Sequence, residues 1–304
     1  MRGDILQLRH SSPSPTECGK DYRRLMPLAT TQQLIASARA TGCGIGAFNV
    51  ITLEHAEAVI RGAETADGPV IVQISENAVN YHYSNVRPLA AAVAELAAAS
   101  TSDVSLHLDH VTDENLLHQA ADAGFSSVMF DASTLGYADN VAATCAAADW
   151  AHANGVYLEA ELGAVGGKGG AHTPGVRTNP AEAADYVAAT GVDALAVAVG
   201  SSHAMVERTA SLDYELIARL REAVTKPLVL HGSSGVSDEH LAQAIRAGIV
   251  KVNIGTILNV AYTRAVRAAL STDSSLVDPR KYIYAARDAM SDEAHRLITV
   301  IRGS

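Results

Sequence analysis

Three histidines of this 304-residue chain stand beside acidic or small polar residues, each at or just after the end of a short apolar run. They are His110 in the segment HLDH, His203 in GSSH and His231 in LVLHG. Imidazole groups that meet at one point form a ligand set for Zn²⁺ or a similar ion with an open coordination position. A hydrogen bond at a strand end is the alternative role for any one of them. The three together predict a metal centre.

Carboxylate, amide and hydroxyl side chains end the other apolar runs of the chain. Glu159 and Glu161 stand two positions apart, so both point to one side of an extended strand. His107 stands two positions before Asp109 and points deeper, where we expect a core or supporting histidine. An inert scaffold would not need polar groups at so many strand ends, so the sequence indicates one active site built from several strands. The other polar residues at these points are Asn49, Ser75, Glu76, Asp131 and Asn253.

Two glycine-bearing turns have the composition of an anion site. Residues 232–235 read GSSG between an apolar run and a helical segment, and Gly255-Thr256 occupies the same position after the next apolar run. Glycine lets backbone N–H groups approach an anion, and the amino end of a helix adds a partial positive charge. We therefore predict phosphate binding at these two turns.

The elements that must position these residues alternate in type along the chain. Eight short β-branched, apolar runs are each followed by a longer, often Ala-rich segment of helical period. This alternation favours an α/β fold, a closed (β/α)8 TIM barrel, with an open doubly wound sheet as the alternative. The predicted strands are 45–50, 70–75, 104–109, 127–131, 156–162, 194–199, 228–231 and 250–254. The predicted helices between them are 53–65, 86–99, 113–121, 139–153, 180–189, 213–224 and 238–247, and another begins near 257.

The two ends of the chain add to this barrel. Residues 1–25 have mixed charge and a Ser-Pro-Ser-Pro run, so we expect a poorly ordered extension. Residues 26–304 are expected to form a single barrel domain, with extra helices at 31–40 and 278–302. Catalytic residues of such barrels gather at the carboxyl ends of the strands, so the polar strand ends are predicted to converge there.

The composition argues against several other classes of protein. Lys and Arg number 23 and Asp and Glu number 33, a net charge of −10, so no nucleic-acid partner is expected. No apolar run approaches the roughly 18 residues of a membrane helix, and the first residues lack the apolar stretch of a signal peptide. Three cysteines without metal-ligand spacing predict reduced thiols and a cytoplasmic protein. A hydrophobic content of 48% excludes intrinsic disorder.

Six motifs, in this order, resemble those of the class II, metal-dependent ketose-bisphosphate aldolases of the fructose- and tagatose-bisphosphate type. The motifs are HLDH (107–110), DAS (131–133), EAELG (159–163), GSSH (200–203), LVLHGSSGV (228–236) and KVNI (251–254). GIGAFNV (44–50) and DPRKY (278–282) belong to the same resemblance, which runs from about Met26 to Arg302. It implies a lyase of carbohydrate metabolism, such as glycolysis, that cleaves or forms a phosphorylated ketose.

The resemblance also implies roles for single residues. Asp109 corresponds to the acid/base that handles the proton on the C4 oxygen of the sugar. Asp131 and Glu161 correspond to acidic residues that hold a second or displaced metal position in some members. The histidines that hold the catalytic zinc correspond to His110, His203 and His231. The predicted substrate and phosphate site consists of Asn49, Ser75, Gly232, Ser233, Ser234, Asn253, Gly255 and Thr256.

The implied reaction gives dihydroxyacetone phosphate and an aldehyde such as glyceraldehyde 3-phosphate. It passes through a zinc-stabilised enediolate, because the negative charge of that species needs an electrophile. The implied cofactor is Zn²⁺ or another divalent metal, with a monovalent cation as a further candidate. The implied partners are a small sugar phosphate and further copies of the chain in a homodimer or homotetramer, without a membrane.

Two stretches depart from the family pattern. In the segment 163–180, Lys168 lies in the region where many relatives carry an acidic pair. His172 or another residue must then supply the proton step at the ketone fragment, or proton exchange at that carbon is slow. Gly255 stands where fructose-bisphosphate enzymes tend to carry aspartate and tagatose-bisphosphate enzymes a small residue, which argues against fructose 1,6-bisphosphate as the substrate.

Three other interpretations stay open at this point. Lys251 is the one lysine in a predicted core strand, which leaves a Schiff-base aldolase open. A zinc hydrolase on the same barrel usually carries a His-x-His pair on its first strand, which reads GIGAFNV here. A non-catalytic sugar-phosphate-binding homologue is the third alternative.

Arg280 and Arg287 are candidates for binding a distal phosphate of the substrate, with surface salt bridges as the alternative.

Overall fold

The computed structural model describes residues 28–162, 176–201 and 207–303. Eight strands pair in chain order around a closed barrel, and each pairing is parallel. The barrel prediction is confirmed, and the open sheet is excluded because the first strand pairs with the last. The strands are β1 (Ile45–Asn49), β2 (Val70–Ser75), β3 (Val104–Val111), β4 (Ser127–Phe130), β5 (Tyr157–Glu161), β6 (Ala194–Ala196), β7 (Leu228–Leu230) and β8 (Ile249–Ile254).

Helices cover the outside of the barrel, and the predicted extra helices at the two ends are present. No described helix is long and apolar enough to cross a membrane. The helices are α1 (Thr31–Thr41), α2 (Leu53–Thr65), α3 (Glu76–Tyr81), α4 (Arg87–Ala99), α5 (Glu114–Leu117), α6 (Tyr137–Ala153), α7 (Pro180–Thr190), α8 (Tyr214–Ala223), α9 (Asp238–Ala247), α10 (Thr256–Thr272) and α11 (Pro279–Arg302).

Local sequence signals explain where helices begin and end. Thr30 and Gln33 form a capping box at the start of α1, which satisfies two backbone N–H groups. The same helix ends at Gly42, whose φ of 70° suits a residue without a Cβ. The Asn179 side chain accepts hydrogen bonds from two backbone N–H groups at the start of α7.

Most elements lie within two residues of their predicted bounds, and two differ by three residues or more at one end. Strand β6 ends at Ala196, three residues before the predicted end at 199. The helix predicted at 113–121 is only the single turn α5. After it, Gln119 and Ala120 donate to carbonyls three residues back, which tightens the chain into turns. These turns lead to Phe125, which packs in the core.

Helix α3 was missed by the hydrophobic pattern because it is only six residues long. Ser75, the last residue of β2, accepts a hydrogen bond from the Ala78 backbone N–H and so begins this helix directly at the strand end. The consequence is that Glu76 lies in the first turn of α3, over the carboxyl end of the barrel.

The amino end of the barrel interior is closed by α1. Leu34, Ile35 and Ala38 of this helix form a small apolar cluster with inward residues of the strands, among them Ile45 and Val229. A second and larger core lies between the strands and the outer helices. Residues 1–25 lie outside the described residues, so the predicted extension and domain boundary stay predictions.

Candidate active site

The carboxyl end of β3 is irregular at the point where it carries Asp109 and His110. Its register with β4 shifts between Leu108 and Val111, and His110 has a φ of 51°. A left-handed backbone is unfavourable for a residue with a Cβ, and such residues are enriched at functional sites. Asp109 is buried in the barrel interior, whereas His110 stands partly exposed at the carboxyl end.

The Asp109 carboxylate is held by three amide side chains from neighbouring strands. Asn49 on β1 donates to Oδ2 at 2.9 Å, and Gln73 on β2 donates to the same oxygen at 3.3 Å. Gln73 also donates to the Asn49 side-chain oxygen at 2.7 Å, which orients that amide. Asn253 on β8 donates to Oδ1 at 3.3 Å. The carboxylate therefore has one orientation, set by the strand ends around it.

The electrostatic surroundings keep Asp109 ionised in spite of its burial. Burial alone would raise its pKa, but the positive charges of His110, Lys251 and His231 and the hydrogen bond from Asn49 lower the pKa below its ordinary value. A buried carboxylate in this state can accept a proton at neutral pH.

His110 is oriented by Asp131, the acidic residue that directly follows β4. Its Nδ1 donates to Asp131 Oδ2 at 3.1 Å, and the Ser133 hydroxyl donates to the other oxygen of Asp131 at 2.6 Å. Burial opposes the charged imidazole, but the negative charges of Asp109 and Asp131 and the hydrogen bond raise the pKa of His110 to about 9. Asp131 thus lies behind His110 as its hydrogen-bond partner, and its predicted role as a metal ligand stays a prediction.

One described group of side chains could hold a metal ion. The nitrogen and oxygen ligand atoms of His110, Glu161 and His231 all lie within 4.8 Å of one another. The two imidazole rings are 4.9 Å apart between centroids and meet edge to face. Two imidazoles and a carboxylate are a donor set that Zn²⁺ accepts, so these residues fit the predicted metal. His203, the third predicted histidine, lies outside the described residues.

Behind His231, the barrel interior holds a buried ion pair. Lys251 on β8 donates from Nζ to Glu159 Oε2 at 2.7 Å, and His231 Nε2 donates to Glu159 Oε1 at 2.9 Å. All three side chains are buried. A ligating histidine is usually oriented by such a carboxylate on its other ring nitrogen. Lys251 is therefore engaged as the partner of Glu159, which does not favour the Schiff-base alternative.

His107 lies deeper in the barrel, as its spacing from Asp109 predicts. Its Nδ1 lies 2.7 Å from the Ser127 hydroxyl, and its Nε2 is 3.9 Å from Asp109 Oδ1. Burial, reinforced by the nearby charge of Lys251, lowers the pKa of His107 well below its ordinary value. It is a neutral supporting residue and not part of the group of potential metal ligands.

A cavity of about 300 Å³ opens beside Asp109 and His110 at the carboxyl end of the barrel. The structure brings the eight residues of the predicted substrate site together around it. They are Asn49, Ser75, Gly232, Ser233, Ser234, Asn253, Gly255 and Thr256. Asn77, Ile51 and Asn259 also line it and were not predicted.

The two predicted phosphate turns form one wall of this cavity. Gly232 has a φ of 64°, so the chain turns sharply after β7 into a short 3-10 turn. Ser233 donates to the Asn253 carbonyl at 2.5 Å, and Ser234 accepts from the Ile257 backbone N–H at 3.2 Å. The first bond joins the turn to the end of β8, and the second joins it to the amino end of α10, where the partial positive charge of a helix favours an anion.

Gly255 leaves room for the amide that holds Asp109. A Cβ at this position would lie 3.2 Å from the Asn49 side-chain oxygen, a contact that requires one of the two to move. The absence of a side chain here therefore supports the Asn49–Asp109 arrangement.

Other predicted residues are not brought to the cavity. Arg280 is almost fully exposed and pairs with Asp278 at 2.8 Å, and Arg287 pairs with Glu57 at 2.6 Å. Both correspond to the surface salt-bridge alternative. The segment around Lys168 and His172 lies outside the described residues.

The sequence did not predict the supporting roles of three residues: Gln73 binds Asp109, Glu159 binds His231, and Lys251 binds Glu159. Each had a signal, because each is a polar residue at an inward position of an otherwise apolar strand. Gln73 stands two positions before Ser75, and Lys251 two positions before Asn253. A period of two places such residues one layer below the strand end.

Comparisons with known proteins agree with this geometry. Residues 29–304 match the family described as fructose-bisphosphate aldolase class-II. The crystal structure of the YdjI aldolase from Escherichia coli K12 is 31% identical, with a TM-score of 0.76, over 90% of this chain and 97% of that one. A candidate fructose-1,6-bisphosphate aldolase from Coccidioides immitis is 32% identical with a TM-score of 0.76, over 89% and 95% of the two chains.

A third solved structure supports the fold alone. The fructose-bisphosphate aldolase Fba from Campylobacter jejuni is 24% identical with a TM-score of 0.77, over 89% of this chain and 93% of that one. The resemblance seen in the sequence motifs is confirmed by the family match and the two more similar structures. This chain belongs to the class II fructose-bisphosphate aldolase family and is an aldolase of the lyase class.

Proposed function

We propose that this aldolase cleaves and forms a phosphorylated ketose, with dihydroxyacetone phosphate and an aldehyde such as glyceraldehyde 3-phosphate as its products. The observation that carries the proposal is the Asp109 carboxylate. It is held by three amides and lines a cavity that also contains the two turns predicted to bind phosphate and one histidine of the potential metal site.

The phosphate of the substrate is proposed to bind at the wall formed by Gly232, Ser233, Ser234 and Gly255-Thr256. Backbone N–H groups and the amino end of α10 supply the positive potential there, against the overall negative charge of the chain. With its phosphate at this wall, the ketose carbon chain extends across the cavity toward Asp109 and His110.

Asp109 is proposed to accept the proton of the C4 hydroxyl during cleavage and to return it during condensation. Its lowered pKa favours the ionised form that cleavage requires. Asn49, Gln73 and Asn253 fix both carboxylate oxygens, so the carboxylate does not need to reorient between the two directions.

The metal of this site is proposed to be Zn²⁺ or another divalent ion, held by His110 and His231 with Glu161 within reach. His203 is proposed as a further ligand. Such an ion, when bound, acts as a Lewis acid for the ketone and the neighbouring hydroxyl and stabilises the negative charge of the enediolate. Asp131 and Glu159 orient the two imidazoles by accepting hydrogen bonds from their other ring nitrogens.

We expect a homodimer or homotetramer in the cytoplasm, and a monovalent cation as a second cofactor. Leu270, Val277 and Tyr284, on the C-terminal helices and the segment between them, are exposed apolar residues, which supports contacts between copies in this part of the chain.

A coupled cleavage assay tests the reaction and names the sugar. Fructose 1,6-bisphosphate, tagatose 1,6-bisphosphate and the two corresponding 1-phosphates are offered side by side, with and without EDTA. We expect triose phosphate to be released from at least one of them, and the release to stop with EDTA and return with added zinc. Release that persists in EDTA after removal of bound metal would contradict the metal-dependent reaction.

A further inference from the structure

The carboxylate of Glu76 bridges the ends of two neighbouring strands beside the active site. Glu76 begins α3, directly after β2. Its Oε2 accepts from the Thr112 backbone N–H at 2.7 Å and the Asp113 backbone N–H at 3.2 Å, and its Oε1 accepts from the Thr112 hydroxyl at 2.9 Å. Both oxygens of one side chain therefore fix the segment that follows β3.

This segment begins two residues after His110, whose backbone is in the left-handed region. A non-glycine residue keeps such a backbone only where its surroundings hold it. The regular pairing of β2 with β3 ends at Ser75 and Asp109, just before His110. Beyond that pair, the Glu76 bonds continue the connection between the two strands. On the other side, the Asp131 backbone N–H donates to the Val111 carbonyl at 2.8 Å.

We propose that Glu76 is a positioning residue of the metal site. Its carboxylate holds the backbone of Thr112 and Asp113 and thereby keeps His110 in the conformation that directs its imidazole toward His231 and Glu161. This inference rests on the proposed function, because it assigns Glu76 a role in holding a ligand of the proposed metal.

The chain contains a matched carboxylate at the opposite end of the barrel. Glu64 lies in the last turn of α2. Its Oε1 accepts hydrogen bonds from the Ser100 hydroxyl at 2.9 Å and from the Thr101 backbone N–H at 3.0 Å. It thus joins a neighbouring loop with the same donor types, far from the proposed metal ligands. Glu64→Gln is therefore the control for Glu76→Gln. Each variant removes one negative charge and weakens the hydrogen bonds between a carboxylate and a neighbouring loop.

A third variant separates the hydrogen bonds from the charge. Thr112→Val removes the hydroxyl donor to Glu76 without changing the net charge of the protein. If positioning is the role of Glu76, this variant changes zinc binding in the same direction as Glu76→Gln, by a smaller factor, because the two backbone bonds remain.

The experiment measures zinc affinity by chelator competition, kcat and KM for the ketose phosphate that the wild type cleaves, and Tm. We expect Glu76→Gln to weaken zinc binding by about tenfold or more, which is the usual effect of losing a group that orients a metal ligand. We expect kcat at limiting zinc to fall and to recover with excess zinc. KM and the Tm of the metal-free protein should change no more than in Glu64→Gln.

The outcomes distinguish this inference from the proposed function. A wild type that binds no zinc and cleaves no ketose phosphate contradicts the proposed function itself. If the wild type depends on zinc but Glu76→Gln and Thr112→Val bind zinc with the affinity of the wild type, the positioning role of Glu76 alone is overturned. Equal losses in Glu76→Gln and Glu64→Gln also overturn it, because they would reflect a general loss of stability.

Discussion

The two ends of the barrel interior are built from the same strands but contain opposite kinds of side chain. At the carboxyl end and one layer below it, β3, β5 and β8 contribute the buried charged residues Asp109, Glu159 and Lys251. At the amino end, β3 contributes Ser105, and β5 contributes Tyr157, whose hydroxyl donates to the Asp193 carbonyl. Helix α1 closes this second end with apolar side chains.

Neutral hydroxyl groups form hydrogen bonds with one another at the amino end of the barrel. The Thr31 hydroxyl of α1 lies 3.0 Å from that of Ser105, 3.2 Å from that of Ser126 and 2.6 Å from that of Ser127. Charged groups at the carboxyl end instead require partners, because an uncompensated buried charge is strongly destabilising. One end of this barrel therefore mainly stabilises the fold, whereas the other holds charged groups in fixed positions.

The largest expected effect is a loss of activity at the carboxyl end without a loss of structure. Asp109→Ala should lower kcat by about 10² to 10⁴, the usual contribution of a general acid/base, while zinc stays bound. Steady-state kinetics and metal analysis check this, with Asp103→Ala at the amino end as the control. Unchanged cleavage in Asp109→Ala would remove this residue from the mechanism.

Loss of one partner from the buried ion pair should reduce stability. Lys251→Met leaves the Glu159 carboxylate buried without its cation, and we expect the free energy of unfolding to fall by about 3–5 kcal/mol. Urea denaturation of the metal-free protein measures this loss. The double variant Lys251→Met/Glu159→Gln should lose less, because the unpaired charge is then absent. A double variant as unstable as the single one would show that packing, not charge, sets the loss.

At the amino end, the comparison predicts a loss of stability without a loss of activity. Ile35 of α1 is 2% exposed, and Ile35→Ala should cost about 2–5 kcal/mol through the cavity it leaves. The kcat of the folded fraction should stay near that of the wild type. Denaturation and active-site titration of the same preparation check both statements. A lower kcat per folded molecule would mean that the two ends are coupled.

The smallest effect is expected from charges outside the barrel interior. Asp238 pairs with Arg208 and Arg296, but its side chain is 39% exposed. Burial raises its pKa, but the hydrogen bonds and charges of Arg296 and Arg208 together outweigh burial and lower the pKa. Because the folded pKa is lower than the unfolded one, the stabilisation is present above about pH 4 and is lost as the pH falls through the folded value.

We expect this contribution to be less than about 1 kcal/mol, since solvent screens exposed pairs. Unfolding free energies of the wild type and Asp238→Asn, measured between neutral and acidic pH, should converge as the pH falls. A difference that persists at the lowest pH would assign the effect of Asp238 to hydrogen bonding or packing instead of charge.

Much of this protein was determined by its sequence alone. The alternation of apolar runs with helical segments indicates the closed barrel, because each strand must be covered on both faces. Polar residues at the strand ends indicate where chemistry occurs, and Asn49, Asp109, His110 and Asn253 do line one cavity. The family motifs also indicate the aldolase class, which the comparisons confirm.

The partner of each polar side chain, by contrast, follows from the packing of the closed barrel. The pairing of Gln73 with Asn49 and Asp109, and of Lys251 with Glu159, depends on barrel closure and strand register. Periodicity shows which face a residue occupies but not which residue of a distant strand lies opposite it. For the same reason, the left-handed backbone of His110 and its support by Glu76 follow from local irregularity that no sequence pattern records.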